Sequence, residues 1–452
     1  MPAATATVEG SGTSDTAGVD SAVSAANENW SLSAKVAFRF SFLYLMLYMF
    51  CNGNVTVFTV LESFPKVDRW ITWVLFTPLS SLTQWWAVRA LHLTGTAATW
   101  HRDGSGDTPL NYLLCVTFLC VALAGTAVWS VLDRRRAHYR TLYSWLRFFV
   151  RLNVGIGMLQ YGFYKVYPVQ MQPPSMAVLN EPVGQMSPMT LLWTMLGFSP
   201  WYERVCGAAE AIGGVLILIR PTALAGAIVS AFVMTNVVLY NLFFDVPVKL
   251  YAIHVLLMAT FVMLPDMKPL WDFFFRNRTA KLVGEWVPAA STTRMRQAMG
   301  WLEIAFLLLV LLSYVKYDGD RYSAYKDSVR SAPIIGLWAL DADSPKPITI
   351  GGVPWFEISI DNLTRGMARS TDGQLWRMYL AYDEKNQTLG MVSRGGSGAV
   401  KYGWQVPDAD HMVLSTGGKS ALTIRFHRLP TPATYPLLTR GFHMVNEWGL
   451  ER

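Results

Sequence analysis

Seven long apolar segments dominate this chain and restrict the folds that are open to it. Each is long enough to cross about 30 Å of hydrocarbon as an α-helix. The predicted spans cover residues 36–61, 109–132, 145–167, 202–219, 221–243, 248–265 and 297–315. With 52% hydrophobic and only 15% charged residues, the chain is too apolar for a soluble multidomain protein. The sequence therefore predicts an all-α transmembrane helix bundle, and the lipid bilayer is an expected partner.

Two segments near the N-terminus differ from these spans. Residues 70–93 carry Arg89 among several tryptophans, which favours an amphipathic helix on the membrane surface over an eighth span. Residues 1–34 are rich in Ala, Ser, Thr and Gly and contain no apolar run. We therefore expect a disordered N-terminus without a secretory signal peptide. Residues 35–144 would then hold two spans and the surface helix.

Basic residues are concentrated in loops that fall on one side of the predicted bundle. Residues 133–140 and 273–297 are the most basic loops, and Arg220 lies in a tight turn on the same side. The positive-inside rule makes this side the cytoplasm. The sequence thus predicts a multi-pass protein of a bacterial inner membrane with a cytoplasmic N-terminus. These loops also account for the net charge of +7, so nucleic acid is not an expected partner.

The sequence pattern changes after the last span. Residues 273–316 are predicted to hold a basic cytoplasmic loop and the last spanning helix. From about residue 335, short stretches alternate between apolar and polar residues and are broken by turns such as the Asp-Gly at 372. Five to eight antiparallel strands are expected. Residues 317–452 are therefore predicted to form a periplasmic β-domain, either a small sandwich or a barrel.

Four polar side chains lie at one predicted depth in four consecutive spans. They are Gln160, Glu210, Asn236 and His254. Counted from the outer end of each helix, all four lie roughly 9 to 12 Å below the outer boundary. Because an intramembrane charge costs about 2.5 to 3.5 kcal/mol on insertion scales, such residues usually face the bundle interior or a cavity. One interpretation is an outward polar pocket in which Glu210 and His254 exchange a proton. The other is a structural hydrogen-bonded layer.

Further polar residues are predicted around this layer. Four of them complete the set of pocket candidates: Tyr161, Lys165, Tyr240 and Asn241. Lys165 and Glu203 lie at similar height and can pair, as can Asp245 and Lys249 across a turn. In the inner half of the membrane, Arg151 and Glu303 lie at one level when both helices are counted from the cytoplasm. We predict a structural ion pair between those two residues.

The sequence contains few signs of autonomous catalysis. His254 is the one histidine within the seven predicted spans, so a haem held between two membrane histidines is not expected. Walker, G-x-G-x-x-G and H-E-x-x-H motifs are absent, and the four cysteines include no C-x-x-C pair. The histidines after residue 335 are too dispersed to indicate a metal site. No catalytic residue is predicted, and any enzymatic role would be that of an oxidoreductase subunit.

Two short motifs in spans three and four carry a family resemblance. Tyr161, Gly162 and Lys165 match an aromatic-Gly-x-x-Lys element. The second element, Gly-x-x-Glu-x-x-Gly-Gly, is matched by Gly207, Glu210, Gly213 and Gly214. In these motifs the chain resembles the DoxX-like membrane protein family over residues 145–266. Its last residues, 437–452, resemble the tail of larger proteins of this type, which carry an extra outer domain.

The resemblance implies a four-helix core, here residues 145–272, and an association with membrane redox reactions. Those include a subunit role in thiosulfate:quinone oxidoreductase. The chain differs from a simple member in its three additional spans and outer domain. We expect a redox-associated subunit that binds a quinone-like or small anionic ligand, with Glu210 as proton acceptor, Lys165 as electrostatic anchor and His254 as relay. A quinone is the candidate cofactor, and a membrane or periplasmic redox protein is the expected partner.

Two other functions are compatible with the same sequence. The chain would act as a non-catalytic membrane platform if the polar layer is structural and the β-domain is presented to a partner protein. A solute transporter is the third possibility. It is favoured less because the sequence has no evident inverted repeat or broken helix pair.

Overall fold

A computed structural model of the protein describes most of the chain. The described residues are 29–51, 66, 69–70, 72–100, 106–279, 281–282, 292–344, 349–350, 353–393, 399–417, 422–431 and 435–439. The chain divides into two compact units. The first comprises residues 1–100, 107–153 and 264–299, and the second comprises 101–106, 154–263 and 300–452.

Helices form the described part of the chain up to residue 328. They are α1 (Leu32–Cys51), α2 (Thr77–Ala90), α3 (Pro109–Leu132), α4 (Arg140–Val166), α5 (Met176–Leu179), α6 (Pro188–Gly197), α7 (Pro200–Leu218), α8 (Ala223–Phe243), α9 (Lys249–Met263), α10 (Met267–Arg276) and α11 (Thr293–Ser328). The helical character predicted for this region is confirmed.

Several of these helices have the length and composition of membrane spans. Within the described residues, five stretches qualify: Leu32–Cys51, Pro109–Leu132, Arg220–Phe243, Lys249–Arg276 and Gln297–Ser328. Apolar helices of this length indicate a multi-pass membrane protein. The predicted spans 145–167 and 202–219 coincide with α4 and α7, which are not among the five, so seven spans remain a prediction. Residues 52–61 of the first predicted span lie outside the described residues.

The first helix begins inside the segment that was expected to be disordered. α1 starts at Leu32, and Ser31 Oγ accepts a hydrogen bond at 3.2 Å from the backbone N–H three residues later. The ring of Trp30 packs edge-on against the first aromatic ring of α1, with centroids 5.6 Å apart. The expectation of disorder is therefore wrong for residues 30–34, because this aromatic contact and cap anchor the chain. Residues 1–28 lie outside the described part.

The segment predicted as a surface helix, residues 70–93, is helical over a shorter range. A π-helical turn, Thr72–Phe76, leads directly into α2, Thr77–Ala90. The hydroxyl oxygens of Thr83 and Thr117 are 2.9 Å apart, and Trp86 Nε1 donates to the same Thr117 hydroxyl at 3.0 Å. One face of α2 is thus bound to α3 by hydrogen bonds.

A buried arginine joins three elements of the first unit. Arg39 is 1% exposed and donates to the Tyr139 hydroxyl, the Ser130 hydroxyl and the carbonyl of Asp133 at 2.8 to 2.9 Å. The Tyr139 hydroxyl in turn donates to Asp133 Oδ2 at 2.9 Å. Because a buried charge is tolerated only when it is hydrogen-bonded, this set of contacts explains how a predicted spanning helix accommodates an arginine.

The last helix is longer than predicted. α11 continues to Ser328, whereas the sequence placed the end of the span near residue 315 and the start of the β-domain at 317. The extension is stabilised by stacking of Tyr322 and Tyr325, whose ring centroids lie 6.3 Å apart. It also contains the fully buried Asp318. The predicted boundary is therefore wrong, and the β-domain starts at its first strand.

That domain consists of antiparallel strands. They are β1 (Gly336–Leu340), β2 (Thr349–Ile350), β3 (Val353–Asn362), β4 (Arg365–Ser370), β5 (Leu375–Asp383), β6 (Thr388–Ser393), β7 (Val400–Asp408), β8 (His411–Thr416) and β9 (Thr423–Arg428). A short helix, α12, follows at Pro436–Thr439. Consecutive strands from β3 to β9 pair with one another, and β2 pairs with β3.

Pairing between the first and last long strands closes the sheet. β1 pairs with β9 and also with β3, where Trp338 lies opposite Ile358. The eight strands other than β2 therefore form a barrel, which decides between the two predicted architectures. Aromatic side chains fill its interior: Trp355 and Phe426 stack with centroids 5.7 Å apart, and neither is more than 2% exposed. This core holds the domain together without a disulfide.

Candidate functional site

Helices α4 and α7 approach each other closely at two pairs of glycines. A Cβ added at Gly207 would lie 2.5 Å from the carbonyl oxygen of Gly162. One added at Gly214 would lie 2.9 Å from the carbonyl oxygen of Gly155. On each helix the two glycines are separated by seven residues, or two turns, so both contacts fall on the same helix face. Larger residues would force the backbones apart.

An ion pair lies beside the Gly162–Gly207 contact. Lys165 Nζ donates to both carboxylate oxygens of Glu210 at 2.8 Å. Lys165 is 5% exposed and Glu210 is 3% exposed. Because the two charges neutralise each other, both can be buried where either alone would be strongly disfavoured. The close glycine contact is thus the local reason that these two side chains meet.

The ion pair forms part of the wall of a cavity inside the second unit. Four aromatic side chains line the cavity: Tyr161, Trp193, Tyr240 and Tyr251. Its polar lining residues are Lys165, Gln170, Glu210 and Asn241. Methionine, valine, alanine and glycine complete the wall, so the site combines a mostly apolar, ring-rich surface with one neutralised charge pair.

Tyrosine rings connect the ion pair to the apolar part of the cavity. Lys165 Nζ lies 5.8 Å from the ring centroid of Tyr161, within the range of a cation–π contact. The Tyr161 and Tyr251 rings are 5.5 Å apart. Asn241, which is 2% exposed, donates to the Val248 carbonyl at 3.4 Å and ties α8 to the turn before α9. The position of the ring-lined wall is thus determined by contacts among α4, α8 and α9.

The structure brings five of the eight predicted pocket residues to this cavity. Those five are Tyr161, Lys165, Glu210, Tyr240 and Asn241. The other three are placed elsewhere. Asn236 is exposed on α8, because it is rotated by about 100° from the lining residue Val237. Gln160 Nε2 donates to the Tyr164 hydroxyl at 3.1 Å.

His254 does not lie in the cavity wall. Its ring is buried, and Nδ1 donates to the carbonyl of Leu250 at 2.7 Å, one turn earlier in α9. The residues of α9 that line the cavity are Tyr251, Ala252 and Val255. The expected proton exchange partner of Glu210 is therefore replaced by Lys165. Equal depth in the membrane did not indicate the direction in which each side chain points.

Three of the eight aromatic or polar lining residues were not predicted from the sequence. Trp193 lies on α6, a short helix that was not assigned as a span, and Gln170 lies in the connection after α4. Tyr251 precedes the lining residue Val255 by one turn on α9. Nothing local in the sequence marked these three as cavity residues.

Two of the predicted ion pairs have a clear outcome. Lys249 Nζ lies 2.7 Å from Asp245 Oδ1, which confirms that pair. Glu303 is bound instead by Arg220, whose Nε donates to Oε1 at 2.9 Å. The acid predicted to pair with Arg151 thus has a different arginine as its partner. Arg151 itself is buried, at 5% exposure.

Residues 170–181 between α4 and α6, which we term the strap, contact both the cavity and the barrel. Gln170 and Met171 line the cavity. The Met171 N–H donates to Glu203 Oε1 at 3.0 Å. Glu203, which was predicted to pair with Lys165, therefore binds the strap. Further along, the Met176 N–H donates to Asp361 Oδ1 of β3 at 2.9 Å. The cavity wall is therefore mechanically connected to the barrel.

Two more contacts strengthen the attachment of the strap. Arg365 of β4 donates to Gln172 Oε1. Arg369 of the same strand lies between two acids, with Glu181 of the strap at 3.8 Å and Glu357 of β3 at 3.3 Å. The outward face of β3 and β4 is thus the surface on which the strap rests.

The strap contact is expected to depend on pH through Asp361. Burial raises the pKa of this carboxyl to about 6, although hydrogen bonds from Met176 and Ser359 act in the opposite direction. A raised acid pKa favours the protonated folded state, so this contribution to stability is complete below about pH 4 and is lost as the pH rises to about 6. We expect Asp361→Asn to have a higher Tm than the wild type at pH 7.5 and the same Tm at pH 4. Thermal unfolding of the full chain in detergent at both pH values tests this. A constant difference would contradict it.

The cysteines and the described histidines of the β-domain have defined surroundings. In the part of the chain that the structure describes, no three His, Cys, Asp or Glu side chains are grouped to hold a metal ion. All four cysteines are free thiols. His411 and His427 each contact an aspartate, Asp408 and Asp341, at 2.9 and 2.7 Å. His443 lies outside the described residues.

Comparison with known proteins gives limited information about this site. No family model and no solved structure matches the chain. Among curated proteins, it is similar to the uncharacterized protein YwoB of Bacillus subtilis, with 32% identity over 85 residues. The match covers 19% of this chain and 55% of that protein, so the chain spans about half the length of the curated relative. The function therefore has to be inferred from the geometry of the site.

Proposed function

We propose that this protein is a DoxX-like, redox-associated membrane subunit that binds a quinone-like ring in the cavity beside Lys165 and Glu210. The observation that carries the proposal is a buried charge pair set in a ring-lined, otherwise apolar cavity. A quinone head is a flat ring that stacks on aromatic side chains and presents two carbonyl oxygens as acceptors. Lys165 has three N–H donors, of which two are directed at Glu210. The third is available to a carbonyl of the ligand.

The same geometry favours a neutral ring over a small anion, the other ligand class expected from the sequence. Glu210 lies 2.8 Å from Lys165 and cancels its charge, so an entering anion would meet a carboxylate as well as an ammonium group. A buried, neutralised pair gives little net attraction for a free anion. In the proposed complex, Lys165 donates to the ring carbonyl and Glu210 accepts a proton from the corresponding quinol hydroxyl.

Electrons must come from or pass to another protein in this proposal. Reduction of a quinone to a quinol takes up two electrons and two protons, and the redox association implied by the resemblance assigns the electron transfer to a partner. The proposed partner is therefore a membrane or periplasmic redox protein, with the chain located in a bacterial inner membrane. The redox association rests on the resemblance in the motifs around Lys165 and Glu210.

Binding of a short-chain ubiquinone analogue to the purified protein tests the proposal. Quenching of tryptophan fluorescence is a suitable signal because Trp193 lines the cavity. We expect saturable binding that weakens roughly tenfold or more when Lys165→Met and Glu210→Leu are combined, since the charged hydrogen bond is lost. This double change removes both charges at once and therefore leaves no unpaired buried charge.

Asn236→Ala is the matched control, because Asn236 is exposed on α8 and does not line the cavity. It should bind the analogue with wild-type affinity. Millimolar thiosulfate should not displace the analogue from the wild type. Absence of saturable binding to the folded wild-type protein would contradict the proposal. That result would favour the platform function, which is supported by the contact between the strap and the barrel.

A further inference from the structure

Two arginines lie side by side on the outward face of the barrel. Arg365 of β4 is directly opposite Tyr379 of β5 in the strand register. Arg377 precedes Tyr379 by two residues, so it projects from the same face as the diagonal neighbour of Arg365. The two guanidinium groups therefore share one small area of the barrel surface.

A third arginine approaches this area from the end of α11, where the Leu363 N–H of the β3–β4 turn donates to the Ser328 carbonyl at 3.1 Å. Arg321 lies two turns before Ser328, on the same face of α11. Its guanidinium lies 5.3 Å from the ring centroid of Tyr164 and 5.5 Å from that of Tyr317. Its Nη1 is 3.4 Å from Asp318 Oδ1. The aromatic rings hold the guanidinium in place by cation–π contacts while part of the side chain remains accessible.

Among the described residues no acid is paired with Arg365, whereas two acids contact Arg369 on the same strand. Arg369 lies between Glu181 and Glu357, whereas Arg365 donates to the neutral amide of Gln172. Burial, followed by the charges of the two nearby arginines, lowers the pKa of Arg365. Like charges held close together repel one another, and a bound anion relieves that repulsion.

We propose that Arg321, Arg365 and Arg377 form a binding site for a phosphate-type anion on the barrel side of the membrane. Guanidinium groups present N–H donors in a planar fork that matches two phosphate oxygens, and several forks around one anion neutralise its charge. Arg321 lies near the end of a helix that is long and apolar enough to cross a membrane. The headgroup of an anionic phospholipid and inorganic phosphate share the chemistry that this site recognises.

Two probes distinguish these sources. The full-length protein is placed in nanodiscs of phosphatidylcholine alone or with phosphatidylglycerol, and retained lipid is counted by native mass spectrometry. In a second arm, inorganic phosphate is titrated into protein in zwitterionic detergent by calorimetry. Retention of phosphatidylglycerol without phosphate binding identifies a headgroup site, and phosphate binding identifies a site for the free anion. Either result supports the proposal, provided that it depends on the arginines.

Arg377→Gln and Arg321→Gln are the test variants. Arg377 is exposed, so its replacement should leave the fold intact. We expect affinity for the bound species to fall roughly tenfold in each variant, the effect of losing one charge-assisted hydrogen bond. Arg425→Gln is the matched control, because Arg425 is an exposed strand arginine on β9, four strands away from β5. Equal binding by Arg377→Gln and Arg425→Gln, or no binding of either probe to the wild type, would overturn the site.

Discussion

Replacement of Glu210 by alanine is expected to lower the free energy of unfolding by about 3 to 5 kcal/mol, the usual cost of removing one member of a buried ion pair. Lys165 is 5% exposed and directs two N–H groups at the Glu210 carboxylate at 2.8 Å. Without Glu210, the charge of Lys165 would remain in an apolar wall without the carboxylate that neutralises it. The protein must then deprotonate the lysine or admit water, and both cost free energy.

Unfolding of the purified protein in mixed detergent micelles, followed by circular dichroism, measures this loss. Lys165→Met combined with Glu210→Leu should regain most of the stability, because apolar residues of similar volume can replace a buried pair with little loss. The non-additivity of the two single changes then gives the coupling energy of the pair. Asn236→Ala should behave as the wild type. Equal stability of Glu210→Ala and wild type would show that the pair is solvated, and the cavity would lose its defining feature.

The contrast between stability and binding in the double variant separates structure from function. If the ion pair served the fold alone, an apolar replacement would keep every property of the protein. If it recognises a ligand, the same variant should be stable and yet fail to bind the quinone analogue. A buried ion pair is weak evidence for stability by itself. Its position in a cavity wall therefore argues that recognition is the reason for its presence.

The sequence predicted the parts of this structure that depend on local pattern. Apolar stretches identified the helices, and alternating stretches after residue 335 identified the β-domain. Lys165 and Glu210 were recognised as site candidates because charges are rare in apolar helices. Closure of the barrel was not predictable, since it depends on pairing of β1 with β3 and β9 across long stretches of chain.

The contacts of the pocket candidates were predicted less well than the candidates themselves. Depth along a helix follows from counting residues, but rotation about its axis decides what a side chain contacts. Asn236 and Glu210 share a depth, yet Asn236 is exposed while Glu210 lines the cavity. The rotation of α4 and α7 is determined by the contact between Gly162 and Gly207. That contact brings Lys165 to Glu210, and its two glycines belong to the motifs that carry the family resemblance.

Gly207→Ala tests whether this glycine contact positions the site. The added methyl would lie 2.5 Å from the Gly162 carbonyl oxygen and 2.6 Å from Lys165 Cβ, both closer than real contacts allow. The first of these is backbone, so α4 and α7 must separate. We expect a loss of about 2 to 3 kcal/mol of unfolding free energy, at the upper part of the range for overpacking. Binding of the quinone analogue should weaken as well, because the Lys165–Glu210 geometry depends on the same contact.

Gly300→Ala is the matched control for this change. Gly300 also lies within a helix, α11, but a Cβ there meets nothing within 4 Å. Alanine has the better helix propensity by roughly 1 kcal/mol. The two substitutions are therefore expected to have opposite signs, Gly300→Ala raising the Tm and Gly207→Ala lowering it. A stabilising effect at both positions would mean that α4 and α7 tolerate a wider separation. In that case the glycines could not be what brings Lys165 and Glu210 together.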